Sequence, residues 1–351
     1  MKMTFKSIFK LMSVGFISLA VLSCSKSDTE PVQEKAIGFN TYTGRAVSKA
    51  DASFIGKGST ALLDNSKFVV YAYNTGSAAW NGTATNVFMN AVTVTYAGGA
   101  PTDPEKYTYS PLRYWPNDEA NNKLSFFAYY PQGGTGITAA NNGWGAYTFT
   151  AQTDPKNMVD FLVSEVAPDQ TYSATNSKKP GVVNMKFYHT LTMVKFKVKT
   201  DKEYTGTTIT LKSISLAGVN TVGTLTPANT TSAWSAQGTP ATFNVFPEGT
   251  KALNTTAVFV PTGTEKDDAY LMIPQRLSDD VVATITYTVQ TEGDAATTNT
   301  ATVKLNTSDV KAWEMNKNIV YTFVVGLKPI QFIAEVNDWD DVTGADFNVG
   351  F

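Results

Sequence analysis

Histidine is the residue that most hydrolytic and metal-assisted mechanisms depend on. This chain has one, His189, and one cysteine, Cys24. A Ser-His-Asp triad would have to be built on His189 alone. Its neighbours, Phe187-Tyr188-His189-Thr190-Leu191, read as a strand with apolar flanks. The expectation is a packed, hydrogen-bonded structural histidine. A single cysteine excludes an intramolecular disulfide, and one His with one Cys excludes a His/Cys zinc cluster. Acids gather at Asp267-Asp268, Asp279-Asp280 and Asp338/Asp340/Asp341. Paired carboxylates could serve glycoside hydrolysis if a cleft held them. Their polar, turn-like contexts suit solvated loops instead, and no ligand spacing supports calcium. No Gly-rich phosphate loop or nucleophile elbow occurs. The expectation is a chain that is not an enzyme and carries no cofactor and no metal.

The chemistry that the sequence does point to is modification of the chain itself. Lys2, Lys6 and Lys10 precede an apolar run from Leu11 to Leu22, which is short for a membrane span. The run ends in Val21-Leu22-Ser23-Cys24, which resembles a bacterial lipobox. Residues 1–23 are then a lipoprotein signal peptide. Cys24 becomes the lipidated N-terminus, with acyl (palmitate) chains holding it at a membrane surface. Losing residues 1–23 removes three Lys and no acid, so the net charge moves from -2 to -5. Cys24 to Pro31 is polar and reads as an unfolded tether. Next comes Ile37-Gly38-Phe39-Asn40-Thr41-Tyr42-Thr43-Gly44-Arg45-Ala46-Val47. It begins as a strand, with Ile37 and Phe39 on one face. It ends in small residues around Arg45-Ala46, a trypsin-type cut site.

The elements that must position these residues are strands. The 351 residues suffice for one large or two medium domains. Hydrophobic content of 42% supports a packed core. With 17% charged residues and a net charge of -2, no clustered basic surface for nucleic acid is indicated. Tyr, Thr, Val, Asn and Gly favour strands and turns over helices. Clear strands are expected at Phe68–Tyr73, Val87–Met89, Val92–Tyr96, Leu124–Tyr130, Met193–Lys199, Val282–Val289 and Asn318–Val325. In Met193–Lys199, Val194, Phe196 and Val198 should face inward and the three Lys outward. Many short strands with turn signals between them argue two β-sandwich domains. The polar stretch Pro168–Lys179 marks the expected boundary. The domains would be 46–180 and 181–351, with 24–45 as tether and first strand.

Several segments together resemble one family, the fimbrillins of type V pili. They are Phe68–Tyr73, Tyr114-Trp115-Pro116, Leu124–Pro131 and Asp160-Phe161-Leu162-Val163 in the first part. In the second they are Ile273-Pro274-Gln275, Trp313–Tyr321 and Val336-Asn337-Asp338-Trp339. Phe187-Tyr188-His189 leading to Val194-Lys195-Phe196 resembles the family's domain junction. The acids after Cys24 resemble the export signal of surface lipoproteins in Bacteroidales-type bacteria. The resemblance implies an all-β fold of two transthyretin-like sandwiches and export to the outer membrane as a lipoprotein. It also implies cleavage after an Arg at the end of the first strand by a trypsin-like, Arg-specific protease. Polymerisation into a surface fimbrium by strand exchange would follow.

On that reading the first strand is a removable plug and the end of the chain its replacement. Phe347, Val349 and Phe351 alternate onto one face, and Val349-Gly350-Phe351 repeats the order of Ile37-Gly38-Phe39. Residues 24–45 carry three basic and three acidic residues, so cutting after Arg45 changes no net charge. The expected partners are other pilus subunits, the membrane before processing, the protease, and a host or bacterial surface ligand. A surface glycan-binding lipoprotein is the alternative, with Tyr107–Trp115 as its stacking platform. Within a pilus, shaft, tip and anchor positions are all open.

Overall fold

The computed structural model describes residues 35–43, 62, 64–83, 85–140, 143–175, 179–229, 232–263, 268–327 and 330–339. The fold is all-β. The first half carries β1 (Gly38–Thr43), β2 (Lys67–Gly76), β3 (Val87–Tyr96), β4 (Tyr107–Thr108), β5 (Lys123–Tyr130), β6 (Ile137–Thr138), β7 (Tyr147–Thr150), β8 (Leu162–Ser164), β9 (Ala167–Gln170) and β10 (Val182–His189). The second carries β11 (Thr192–Thr200), β12 (Thr207–Thr226), β13 (Ala233–Phe246), β14 (Lys251–Ala252), β15 (Val258–Phe259), β16 (Ala269–Met272), β17 (Gln275–Arg276), β18 (Val282–Thr291), β19 (Thr297–Lys304), β20 (Ala312–Trp313), β21 (Lys317–Val325) and β22 (Gln331–Asp338).

The first sheet runs β1-β10-β8-β5-β2-β3-β4, with β9 against β5. β2 reads as an unbroken apolar run because it is covered on both faces. Phe68, Val70 and Ala72 enter one core cluster, and Val69, Tyr71 and Tyr73 enter another. The second sheet runs β19-β18-β12-β7-β6, with β13 and β14 also on β12. The third runs β15-β11-β21-β22, with β16 on β11. Val194, Phe196 and Val198 face the core between these last two sheets, as their alternation predicts. Lys197 and Lys199 are half-buried, whereas Lys195 is buried. Its face there is covered by the first half, since Met193 and Ala269 beside it on that face belong to a core cluster shared with Phe127 and Phe161.

Two features differ from the sequence reading. Pro168–Lys179 does not end the first sheet. Part of it is β9, and Gly181 N–H donates to Tyr172 O at 3.0 Å, turning the chain back. β10 then joins β1 and β8, so the first sheet continues past 180. β12 also extends far beyond Thr208–Leu211. Its first part pairs with β18 and its last part with β7 of the first half. A third core cluster joins residues of both halves, among them Phe127, Phe161, Leu271 and Trp339.

Candidate functional site

β1 is the terminal strand of the first sheet and pairs with β10 in parallel, Gly38 opposite Val182 through Thr43 opposite Phe187. Alternation places Ile37, Phe39 and Thr41 on the inward face, where all three are buried, Ile37 at 1% and Phe39 at 0% exposure. Tyr42, on the other face, is 39% exposed. Ile37 and Phe39 therefore share one core cluster, as expected for the inward face of a first strand. The Phe39 ring meets Tyr109 edge-on at 5.6 Å and Phe126 at 6.1 Å.

The far edge of β1 is closed by the 107–115 segment. Ile37 N–H donates to Arg113 O at 2.9 Å, and Trp115 N–H to Lys35 O at 2.9 Å. Between them, side-chain hydroxyls stand in for a neighbouring backbone. Tyr109 O–H donates to Ile37 O at 2.8 Å. Tyr107 O–H donates to Pro101 O at 2.8 Å. A phenol has one proton, so the Tyr107 oxygen accepts from Thr41 N–H at 3.1 Å, and the 2.8 Å contact with Thr41 Oγ1 has the threonine as donor. Burial pushes the Tyr107 phenol up to about 12, against the opposing pull of the Thr41 bonds. Burial likewise raises Tyr109. Both phenols stay neutral at physiological pH and keep their protons for these bonds.

The slot that holds β1 is completed by Trp115, Gly181 and Val182. Trp115 Nε1 donates to Gly181 O at 2.9 Å, and Gly38 N–H donates to the same carbonyl at 3.0 Å. The Lys35 ammonium lies 4.2 Å over the Tyr172 ring. Of the Tyr107–Trp115 cluster expected as a sugar-stacking platform, Tyr107 and Trp115 are buried walls of the slot, whereas Tyr114 is 39% exposed. The signal that could have revealed the slot is Gly38, since an isolated glycine inside a strand marks a close backbone approach.

Cys24, Arg45, Ala46, Phe347, Val349 and Phe351 lie outside the described residues. His189 is buried, with Nδ1 at 3.1 Å from one oxygen of Asp160 and 3.0 Å from the other. Its ring stacks on Trp339 at 4.0 Å, the planes 8° apart. Asp268 is buried and accepts N–H bonds from Thr262 and Gly263, closing a loop. Asp279 is on the surface, paired with Lys304 at 2.8 Å, and Asp338 pairs with Lys317. Among the described residues no group of three or more His, Cys, Asp or Glu could hold a metal ion.

A family model described as fimbrillin-like matches residues 57–339. That span includes the slot walls from Tyr107 to Val182 but not β1. The chain is 30% identical over 213 residues to fimbrium subunit Fim1C of Phocaeicola vulgatus, covering 57% of this chain. The match takes in 52% of that relative, so the chain spans about half its length. In fold, the chain resembles a fimbrial protein from Bacteroides vulgatus, with a TM-score of 0.60 at 22% identity. That match covers 87% of this chain and 99% of the other.

Proposed function

This chain belongs to the fimbrillin-like family, and from that membership we propose that it is a structural subunit of a cell-surface fimbrium, assembled by replacing β1 with a strand from another subunit. Export as a lipoprotein through Cys24 brings the precursor to the outer membrane. A trypsin-like, Arg-specific protease cuts between Arg45 and Ala46. That releases the lipidated segment and frees β1 from the rest of the chain. Phe347, Val349 and Phe351 of one subunit then supply the apolar knobs for the slot of the next. The subunit folds as two sandwiches. Its filament supports adhesion.

The observation that carries this reading is the bonding of β1. It is terminal in its sheet, ladder-bonded to β10 on one side and to hydroxyls and loop carbonyls on the other. Its last residue stands two positions before Arg45. A strand held that way leaves as a unit once the chain beyond it is cut. Its departure uncovers the seats of Ile37 and Phe39, each worth roughly 1.5–3 kcal/mol when filled. It also leaves the β10 ladder unpaired, an edge that pairs readily with a foreign strand. A head-to-tail contact of this kind does not close on itself and so propagates a filament.

Intact mass and N-terminal sequence of the protein taken from surface filaments test the proposal. An N-terminus at Ala46 without lipid is the expected result. A lipidated Cys24 in assembled material would sink the removable strand and leave an anchor subunit or a glycan-binding lipoprotein.

A further inference from the structure

The β1 slot is not a uniform apolar groove, and its walls differ from one position to the next. Gly38 faces Val182 directly across the parallel ladder. A Cβ added at Gly38 would stand 3.1 Å from Val182 Cγ2 and 3.8 Å from Pro104 Cβ. Val182 is buried and β-branched, so its methyl has few alternative rotamers into which it could withdraw. At Phe39 the demand is reversed, since the ring fills a space framed by the edges of Tyr109 and Phe126. At Thr41 the demand is for a donor. The Tyr107 proton is spent on Pro101 O, and its oxygen is turned toward β1 to accept.

We propose that the slot is a sequence filter that admits a strand with glycine opposite Val182 and an aromatic residue next, and that favours a serine or threonine two residues beyond the aromatic. This rests on the reading of β1 as a replaceable strand, and it adds which strands can replace it. Val182 excludes any occupant with a β-branched or larger side chain at the glycine position. An alanine there forces the Val182 methyl to give by a few tenths of an ångström. A valine in place of Thr41 keeps the shape and leaves the Tyr107 oxygen facing a methyl. The aliphatic–Gly–aromatic order recurs in Val349-Gly350-Phe351, outside the described residues. Val349-Gly350-Phe351 meets the glycine and aromatic demands of the filter.

The test uses the full chain cut at Arg45 with trypsin, the cut verified by mass. The cut protein is unfolded in urea and refolded by dilution with an excess of labelled peptide spanning Lys35–Thr43. Incorporation is read by gel filtration. The native peptide is expected to enter. The Gly38→Ala peptide should enter roughly tenfold less and the Gly38→Val peptide less still, as overpacking a tight site predicts. Thr41→Val should lower entry by about three- to tenfold, the range for losing one hydrogen bond. In protein carrying Val182→Ala, whose folding is checked by near-ultraviolet circular dichroism, the Gly38→Ala peptide should recover to within about threefold of the native one. Equal entry of the Gly, Ala and Val peptides, or no rescue by Val182→Ala, would overturn the filter and leave strand replacement standing. Failure of the native peptide to enter would overturn strand replacement and the filter with it. If Val182→Ala does not fold, the uncut chain decides. There Gly38→Ala must speed tryptic release of β1 while Tyr42→Phe, on the same face but exposed, does not, and equal rates would overturn the filter.

Discussion

Tyr107→Phe removes one oxygen and strips three groups of a partner: Thr41 N–H, Thr41 Oγ1 and the Pro101 carbonyl. The expected cost is about 1–3 kcal/mol, the range for leaving buried polar atoms unpaired. It should appear as faster hydrogen exchange at the Thr41 amide before any change in the second half. The same phenol sets a pH dependence. Its value in the fold, about 12, lies above the unfolded value near 10. A raised phenol contributes stability that is complete below pH 10 and is lost as pH climbs through 12. Tyr130, also pushed to about 12 by burial, acts in the same window. Urea unfolding midpoints should therefore stay level to pH 10 and then fall. The wild type should fall more steeply than Tyr107→Phe, by about 1.4 kcal/mol per pH unit. Residues of this kind divide sharply in legibility. His189 was readable as structural from its apolar flanks. Asp160 and Trp339, which hold it, lie far off in sequence, and no local pattern links them to it. Gly38 was visible as a letter, but only the register against Val182 gives it a meaning.

Among elements, β2, β5 and β21 were legible because burial on one or both faces leaves its mark directly in residue type. β13 was not. Its face is mostly exposed, it carries Gly238 and Pro240, and Ala236 and Thr239 adopt left-handed backbone, so it reads as a loop. The later part of β12 was hidden for a different reason. Bulges reset its alternation between Leu211 and Ser213 and between Leu216 and Val219, so no single period spans the strand. One bulge turns on Gly218, whose φ is +78° and whose added Cβ would fall 2.2 Å from Asp280 O. Backbone cannot yield there. Gly218→Ala should cost about 2 kcal/mol or more and lower the melting temperature. A neutral result would mean that the strand can straighten without its bulge.

At the scale of the molecule, the described residues from Lys35 to Trp339 form one compact unit. β12 spans it by pairing with β18 at one end and β7 at the other. The cluster around Phe161, Leu271 and Trp339 ties the same two halves together. Calorimetry should show a single transition, with calorimetric and van't Hoff enthalpies equal. Two resolved peaks would show that the shared strand does not couple the halves. Trp339→Ala empties a fully buried site and removes the ring stacked on His189. It should lower stability by about 3–5 kcal/mol. It should also loosen the halves from each other, splitting the transition if the cluster is the main tie.

The parallel register of β1 and β10 has a mechanical consequence. In a filament built as proposed, the replacement strand lies along β10 and is pulled lengthwise by the next subunit. Tension along a strand loads every rung of the ladder together, in shear, whereas tension across it peels the rungs one by one. The hydroxyls of Tyr107 and Tyr109 grip the opposite edge and share that load. Such a joint withstands pulling far better than its few apolar knobs alone would suggest. A strand seated there is held along both edges, by the β10 ladder on one side and the Tyr107 and Tyr109 hydroxyls on the other.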